Sequence, residues 1–81
     1  MSDDGRAAAN LIEFIAKSIV SEPEAVRVTP LDGGRLLELE TADDDRGRVI
    51  GRQGRVAKAM RAVLAASRTG TGSAARLDIV D

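Results

Sequence analysis

A polar loop bounded by two glycines, Gly51-Arg52-Gln53-Gly54, is the part of this chain whose residue types and spacing point most directly to chemistry. Glycine at each end permits backbone angles that are closed to other residues and lets another chain approach closely. A helical pattern starts at Arg55, so the loop lies at a helix N-terminus, where free N–H groups and the helix dipole favour a phosphate. Arg52 and Arg55 place positive charge beside it. A sugar-phosphate backbone could therefore lie along this loop.

The distribution of charge favours the same kind of ligand, although the net charge of the 81 residues is −1. Residues 46–68 contain seven basic residues and no acidic ones, whereas the rest of the chain contains five basic and thirteen acidic residues. Such segregation produces one basic face on an otherwise acidic body. A solvated helix face would explain the arginines, but it would not explain the absence of acids over this length.

Composition argues against catalysis and against a metal site. The chain has neither cysteine nor histidine, so it lacks the usual general base, the disulfides and the commonest metal ligands. The motif G-x-x-x-x-G-K-[ST] of phosphate-loop NTPases is also missing. We therefore expect a protein that is not an enzyme and that uses no cofactor.

Length and hydropathy predict one small cytoplasmic domain over residues 1–81, with residues 1–4 frayed. A chain of this size has room for one core, which is marginally stable unless a partner covers part of it. No basic region followed by an apolar run opens the chain, which argues against a secretory signal. No apolar stretch approaches the roughly 20 residues that cross a bilayer.

Helical spacing predicts the first element over residues 5–20, with Asp3 or Asp4 as its N-cap. Its predicted apolar stripe consists of Ala8, Leu11, Ile12, Ile15 and Ile19. Phe14, the only aromatic residue, lies off the centre of this stripe, and it is interpreted as peripheral core or as a contact with another subunit. The pair Glu22-Pro23 ends the helix, because the residue before proline avoids helical geometry.

A period of two predicts a hairpin as the next element. Val26 and Val28 alternate with polar residues, and Leu37 and Leu39 do the same, so each strand buries one face. Between them, the segment 32–34 (Asp-Gly-Gly) supplies the positive φ values that a tight turn needs. Leu36 breaks the alternation, which indicates a bulge near the turn.

Three consecutive acids, Asp43-Asp44-Asp45, precede a short helix that is expected to start near residue 45 and to end at Val49 and Ile50. A metal cluster is one interpretation of the acids, but no further acids follow at ligand spacing, and hard cations need six or more oxygens. N-capping and compensation of the helix dipole is the better interpretation.

The remaining elements are a helix from Arg55 to Arg68 and a strand from Arg76 to Val80, joined through residues 69–73. The predicted buried stripe of the helix consists of Val56, Ala59, Met60, Val63 and Leu64. The element order is then α–β–β–α–α–β. Because all three strands alternate, we expect a two-layer α+β fold in which helices cover one face of a three-stranded sheet.

The segment from Asp45 to Arg61, with Ile-Gly-x-x-Gly between two helices, resembles the signature of the KH domain. The GxxG loop of that domain clamps about four nucleotides of single-stranded RNA. With the two preceding aliphatics, the basic helix and the chain length, the sequence is similar to the small bacterial stand-alone KH proteins of the KhpA type. The similarity covers most of the chain. It implies a single KH domain of type II, the prokaryotic arrangement, with residues 70–73 as its variable loop.

The resemblance also implies a nucleic-acid groove between two walls: the short helix with the GxxG loop, and the sheet edge with the variable loop. The residues that it implicates in RNA binding are Val49, Ile50, Gly51, Arg52, Gln53, Gly54, Arg55 and Lys58. The glycines would allow backbone contact, the loop side chains would lie beside phosphates, the two helix cations would add charge, and the two aliphatics would form part of the floor. Since the chain lacks Trp and Tyr, stacking on aromatic rings is not the expected mode, which argues against RRM or OB-type recognition.

Two functions follow from this resemblance. In the first, the chain binds single-stranded RNA as an RNA chaperone or post-transcriptional regulator, as a homodimer or with a larger KH-containing partner. In the second, it is an interaction or dimerisation scaffold in which the KH surface contacts a protein.

Overall fold

The computed structural model describes residues 5–66 and 75–80, and these residues form the predicted α+β fold in the predicted element order. The helices are α1 (Arg6–Ile19), α2 (Arg46–Ile50) and α3 (Arg55–Ala66), and the strands are β1 (Arg27–Leu31), β2 (Leu36–Glu40) and β3 (Arg76–Ile79). The predictions for residues 1–4 and for the connection at 69–73, with its variable loop, lie outside the described residues. None of the described helices is long and apolar enough to cross a membrane.

The three strands form one mixed sheet in the order β1–β2–β3. Strands β1 and β2 are antiparallel, whereas β3 runs parallel to β2 and is an edge strand. The hairpin register continues without interruption from Arg27 opposite Glu40 to Leu31 opposite Leu36. The predicted bulge at Leu36 is therefore wrong. Leu36 pairs directly with Leu31, and this apolar cross-strand pair explains the break in alternation.

The hairpin turn confirms the prediction of positive φ values and also holds the start of α1. Asp32, Gly33 and Gly34 have φ values of 54°, 66° and 91°. A Cβ atom on Gly5, whose φ is 84°, would lie 2.7 Å from the Cα atom of Gly34, so the two backbones pack against each other. Gly5, and neither of the predicted aspartates, is the N-cap of α1, and its carbonyl accepts the first helical hydrogen bond, from the Ala9 N–H at 2.8 Å.

The core lies between the helices and one face of the sheet. Its largest fully buried apolar side chains are Ile12, Leu37, Leu39, Val49, Met60 and Leu77. Leu37 and Leu39 confirm the predicted inner face of β2. In α1 the buried residues are Ala9, Ile12 and Ala16, so the stripe is rotated from the predicted one toward two alanines, while the predicted Ala8 and Ile15 are partly buried against the core.

Several apolar residues that the sequence analysis assigned to the core are exposed in the structure. Phe14 is 70% exposed, so its interpretation as peripheral core is wrong. Ala59 is exposed and Val63 is 38% exposed, whereas Ala57, Met60 and Leu64 are buried. α3 contacts α1 and α2 through this narrow stripe. The predicted positions Ala59 and Val63 therefore face away from the core.

Candidate nucleic-acid interface

The short helix α2 carries the candidate loop, and it depends on tertiary contacts for its stability. It has five residues, well below the length at which an isolated helix is stable in water. Gly47 lies in its interior, where glycine raises the entropic cost of helix formation. Val49 is fully buried in the core and anchors the helix. The backbone then passes directly from Ile50 into the loop at Gly51.

A second anchor is the carboxylate of Asp45, which is fully buried at the start of α2. It accepts hydrogen bonds from the Ser21 N–H at 3.0 Å, the Ser21 hydroxyl at 2.9 Å and the Glu22 N–H at 3.0 Å. The Arg48 Nε atom lies 3.4 Å from the same carboxylate. Asp45 occupies the N-cap position of α2, but its side chain makes no capping hydrogen bond to the helix, so the predicted capping contact is wrong. We name this set of contacts between Asp45 and residues 21–22 the Asp45 clasp.

The other two acids have different surroundings. Asp43 pairs with Arg46 at 3.4 Å at the surface, and Asp44 is exposed. The carboxylate of Asp45 accepts hydrogen bonds from residues 21 and 22 and forms an ion pair with Arg48, so the three acids do not converge as metal ligands would. Within the ranges 5–66 and 75–80, no group of three or more potential ligands could hold a metal ion.

The clasp makes stability depend on pH at the acid end. The hydrogen bond from the Ser21 amide, helped by the Ser21 hydroxyl and the Glu22 amide, holds the pKa of the Asp45 carboxyl below its usual value of 3.8. A carboxyl whose pKa is lower in the folded protein contributes stability above its unfolded pKa and loses that contribution as the pH falls through the folded pKa.

We therefore expect Asp45→Asn to reduce the free energy of unfolding near neutral pH. The difference from wild type should begin to shrink below about pH 4, where the Asp45 carboxyl of the unfolded wild-type chain starts to bind a proton, and it should go on shrinking down to the lower pKa of the folded protein. Urea unfolding followed by circular dichroism, at neutral pH and at about pH 3, measures the free energy of unfolding of each protein. Asp44→Asn, which removes an exposed carboxylate, is the control and should differ little from wild type at either pH. A gap that stays constant down to about pH 3 would count against the clasp as its source.

The GxxG loop has a backbone that few sequences could adopt. Gly51 has φ 79° and ψ 168°, and Gly54 has φ 75°. Gln53 lies in the left-handed region at φ 57° and ψ 25°, which is uncommon for a residue with a Cβ atom. The Gly54 N–H donates to the Gly51 carbonyl at 3.0 Å, and the Arg55 N–H donates to the Arg52 carbonyl. The loop is thus one tight turn between α2 and α3.

The loop presents unused hydrogen-bond donors to solvent. Over the described ranges, no hydrogen bond is made by the backbone N–H groups of Arg52 and Gln53. The side chains of both residues, and those of Arg55 and Lys58, are exposed. None of these four side chains forms an ion pair or hydrogen bond with any part of the chain that the structure describes. The arrangement offers two amide donors and three cations to an anion, which is the chemistry that binds a phosphate.

The two aliphatic residues before the loop lie in different places. Val49 has no exposed surface, so it cannot contact a base directly. Ile50 is 37% exposed and is the one of the pair that presents apolar surface. The edge strand β3 lies against α2.

Arg61 joins β3 to α3, a contact that the sequence did not reveal. Its guanidinium donates a hydrogen bond to the Leu77 carbonyl of β3 at 3.1 Å. The other missed contact is the Asp45 clasp. A buried acid was signalled only by the position of Asp45 just before the short helix, and nothing in the sequence pointed to Ser21 as its partner.

Comparison with known proteins identifies one family. The KH-domain model of KhpA and KhpB matches residues 9–79. A protein of Halalkalibacterium halodurans is 47% identical over 73 residues, which are 88% of this chain and 96% of that protein. A protein of Borreliella burgdorferi is 40% identical over 88% of this chain and 89% of its own length. A protein of Streptomyces coelicolor is 43% identical over 86% and 87%. Each of the three is named RNA-binding protein KhpA. No solved structure matches the chain.

Proposed function

The chain belongs to the KhpA/KhpB family of KH domains, and from that premise we propose that it binds single-stranded RNA through its GxxG loop, without catalysing a reaction. The relatives described above carry RNA binding in their names. The observation that carries the proposal is the loop itself, with two unpartnered backbone N–H groups beside the exposed cations Arg52, Arg55 and Lys58.

The geometry supports contact with the RNA backbone at the loop and with bases farther along the groove. Phosphates would lie against the amides of Arg52 and Gln53, since fixed N–H donors and a helix N-terminus both favour negative charge. Bases would pack on the exposed surface of Ile50 and along the edge strand β3. A groove with one exposed aliphatic and no Trp or Tyr holds bases by apolar contact, which is tolerant of sequence. An RNA chaperone or post-transcriptional regulator in the cytoplasm has that kind of modest base preference.

A protein partner is the second function, and the exposed apolar residues support it. Phe14 is 70% exposed on α1 and Val63 is 38% exposed on α3. A domain of 81 residues leaves a large fraction of its surface uncovered. We propose that RNA binding is accompanied by pairing with a second copy or with a larger KH-containing protein. A scaffold that contacts protein alone through the KH surface is the competing form of this proposal.

The salt dependence of binding separates RNA contact from protein contact. If the protein neutralises about four phosphates of a single strand, the logarithm of the association constant should fall with the logarithm of the salt concentration with a slope of roughly −3. Fluorescence anisotropy of a short labelled single-stranded RNA over a salt series measures this slope. The elution volume of the protein alone over the same series is the control, because an apolar dimer interface should barely respond to salt. RNA affinity that is flat across the series would exclude phosphate contact as the basis of binding.

A further inference from the structure

We infer that Asp45 is a positioning residue for RNA binding, which fixes the direction of α2, and therefore the place of the GxxG loop, by holding the backbone of residues 21–22. The inference rests on the RNA binding proposed above and deepens it. Asp45 itself is fully buried, so it has no surface with which to contact RNA. Its effect must pass through α2.

The first step is that the clasp joins two distant parts of the chain. Ser21 and Glu22 lie between α1 and β1, 24 and 23 positions before Asp45. Two of the three bonds come from backbone N–H groups, which cannot rotate away as a side chain could. A carboxylate that accepts several such bonds is held strongly, because each bond is assisted by its charge. The start of α2 is therefore fixed to the end of α1.

The second step is that α2 needs two anchors to have one direction. Val49 fixes the depth of the helix in the core and α2 also packs against α3, but apolar packing restrains the direction of a short helix less than directed hydrogen bonds do. Asp45 provides a second point, four residues earlier, and two points define an axis. Because the loop begins at Gly51, directly after Ile50, a pivot of α2 moves the amides of Arg52 and Gln53. Without the clasp, only a fraction of molecules would hold the loop in the binding geometry, and the apparent affinity would fall to that fraction of its full value.

The direction in which Asp45→Asn changes the RNA affinity distinguishes this inference from a simple effect of charge. Asp45→Asn removes a negative charge from the basic part of the chain, and a less negative protein should bind a polyanion slightly more tightly. The inference requires the opposite, because the asparagine amide keeps the size of the side chain but replaces one acceptor oxygen by a donor. Asp44→Asn makes the same change of charge one position earlier, at an exposed residue. It is the matched control.

The experiment compares wild type with Asp45→Asn, Ser21→Ala and Asp44→Asn, at a temperature where circular dichroism shows each protein fully folded. Anisotropy of a short labelled single-stranded RNA gives the affinity. We expect Asp45→Asn to bind on the order of tenfold more weakly and Ser21→Ala about threefold more weakly, since Ser21→Ala removes one bond and keeps both amide donors. Asp44→Asn should bind as well as wild type or slightly better. The salt slope should be unchanged in all four, because the phosphate contacts of the bound state are the same.

Amide NMR spectra without RNA provide an independent readout of position. In Asp45→Asn the signals of Gly51 and Gly54 should shift, whereas in Asp44→Asn they should not. A folded Asp45→Asn protein that keeps these signals, or that binds RNA as tightly as Asp44→Asn, overturns the inference. If Asp45→Asn does not fold, Ser21→Ala decides, and unchanged affinity in that variant overturns it. The wild-type protein is titrated with RNA first. If it does not bind, the proposed function is overturned, and this outcome is seen before any variant is compared.

Discussion

The double variant Arg52→Asp/Gln53→Asp is expected to bind single-stranded RNA about a hundredfold more weakly than the wild type at low salt. It changes the charge at the tip of the loop by three units, from positive to strongly negative. At about 4 Å from a phosphate in water-like surroundings, each unit is worth about 1 kcal/mol, and about 3 kcal/mol corresponds to roughly a hundredfold in affinity. Both side chains are exposed and make no bond within the described ranges, so their loss removes no internal contact.

The fold should survive this change because aspartate suits both positions. Gln53 already has left-handed angles, φ 57° and ψ 25°, and aspartate adopts that region more readily than most residues do. Position 52 lies in the turn before α3, where a negative charge is favoured by the helix dipole. Circular dichroism should therefore show an unchanged spectrum, and the elution volume should stay the same.

A charge-matched control distinguishes loss of the loop contacts from general repulsion. Arg6→Asp/Asn10→Asp makes the same three-unit change at two exposed positions of α1. Near physiological salt, where charges are screened within about 8 Å, its effect on RNA affinity should be much smaller than that of the loop variant measured at the same salt. Equal RNA binding by the loop variant and the wild type would remove the GxxG loop from the mechanism, and α3 with Arg55 and Lys58 would be the next candidate. Loss of a dimer by the loop variant, with no RNA binding by either protein, would favour the scaffold function.

The loop could be found from sequence because its information is local. Two glycines three positions apart, the aliphatic pair before them and the cations after them lie close together in the sequence, and glycine permits the positive φ angles found at Gly51 and Gly54. The same holds for the hairpin, where period two located β1 and β2 and the Asp-Gly-Gly turn between them. Such patterns predict elements and their order because each depends on its own residues.

Contacts between distant residues were not predictable in this way. Asp45 was interpreted as a helix cap because capping is the commonest use of an acid at a helix start. In the folded chain its carboxylate bonds to residues 21–22 instead, and nothing near Ser21 marks it as the partner. Phe14 was open to two interpretations for a related reason. Whether an apolar residue beside a stripe is buried depends on what packs there, and the stripe of α1 is centred on alanines that carry a weak hydrophobic signal.

Gly51→Ala is expected to reduce the free energy of unfolding by about 3–5 kcal/mol, from a total of about 4–12 kcal/mol for a domain of this size. Two effects combine. The angles φ 79° and ψ 168° belong to a region that is essentially restricted to glycine. An added Cβ atom would also lie 2.6 Å from the Val56 Cγ2 atom and 2.8 Å from the Val56 backbone nitrogen, and the second of these cannot move without displacing the start of α3.

Gly54→Ala is the comparison that separates backbone strain at a positive φ from steric overlap of the added Cβ atom. Gly54 also has a positive φ, 75°, but apart from its chain neighbours no atom of the described residues lies within 4 Å of its added Cβ atom, so its substitution should lose only about 1–2 kcal/mol. Urea unfolding followed by circular dichroism measures both variants. Introducing Gly51→Ala into a Val56→Ala protein should recover part of the loss, because the contact with Cγ2 is removed while the contact with the backbone nitrogen remains. Equal losses for the two glycine variants would show that the close approach of Gly51 to Val56 does not limit the loop, and that the positive φ values alone explain why both positions are glycine.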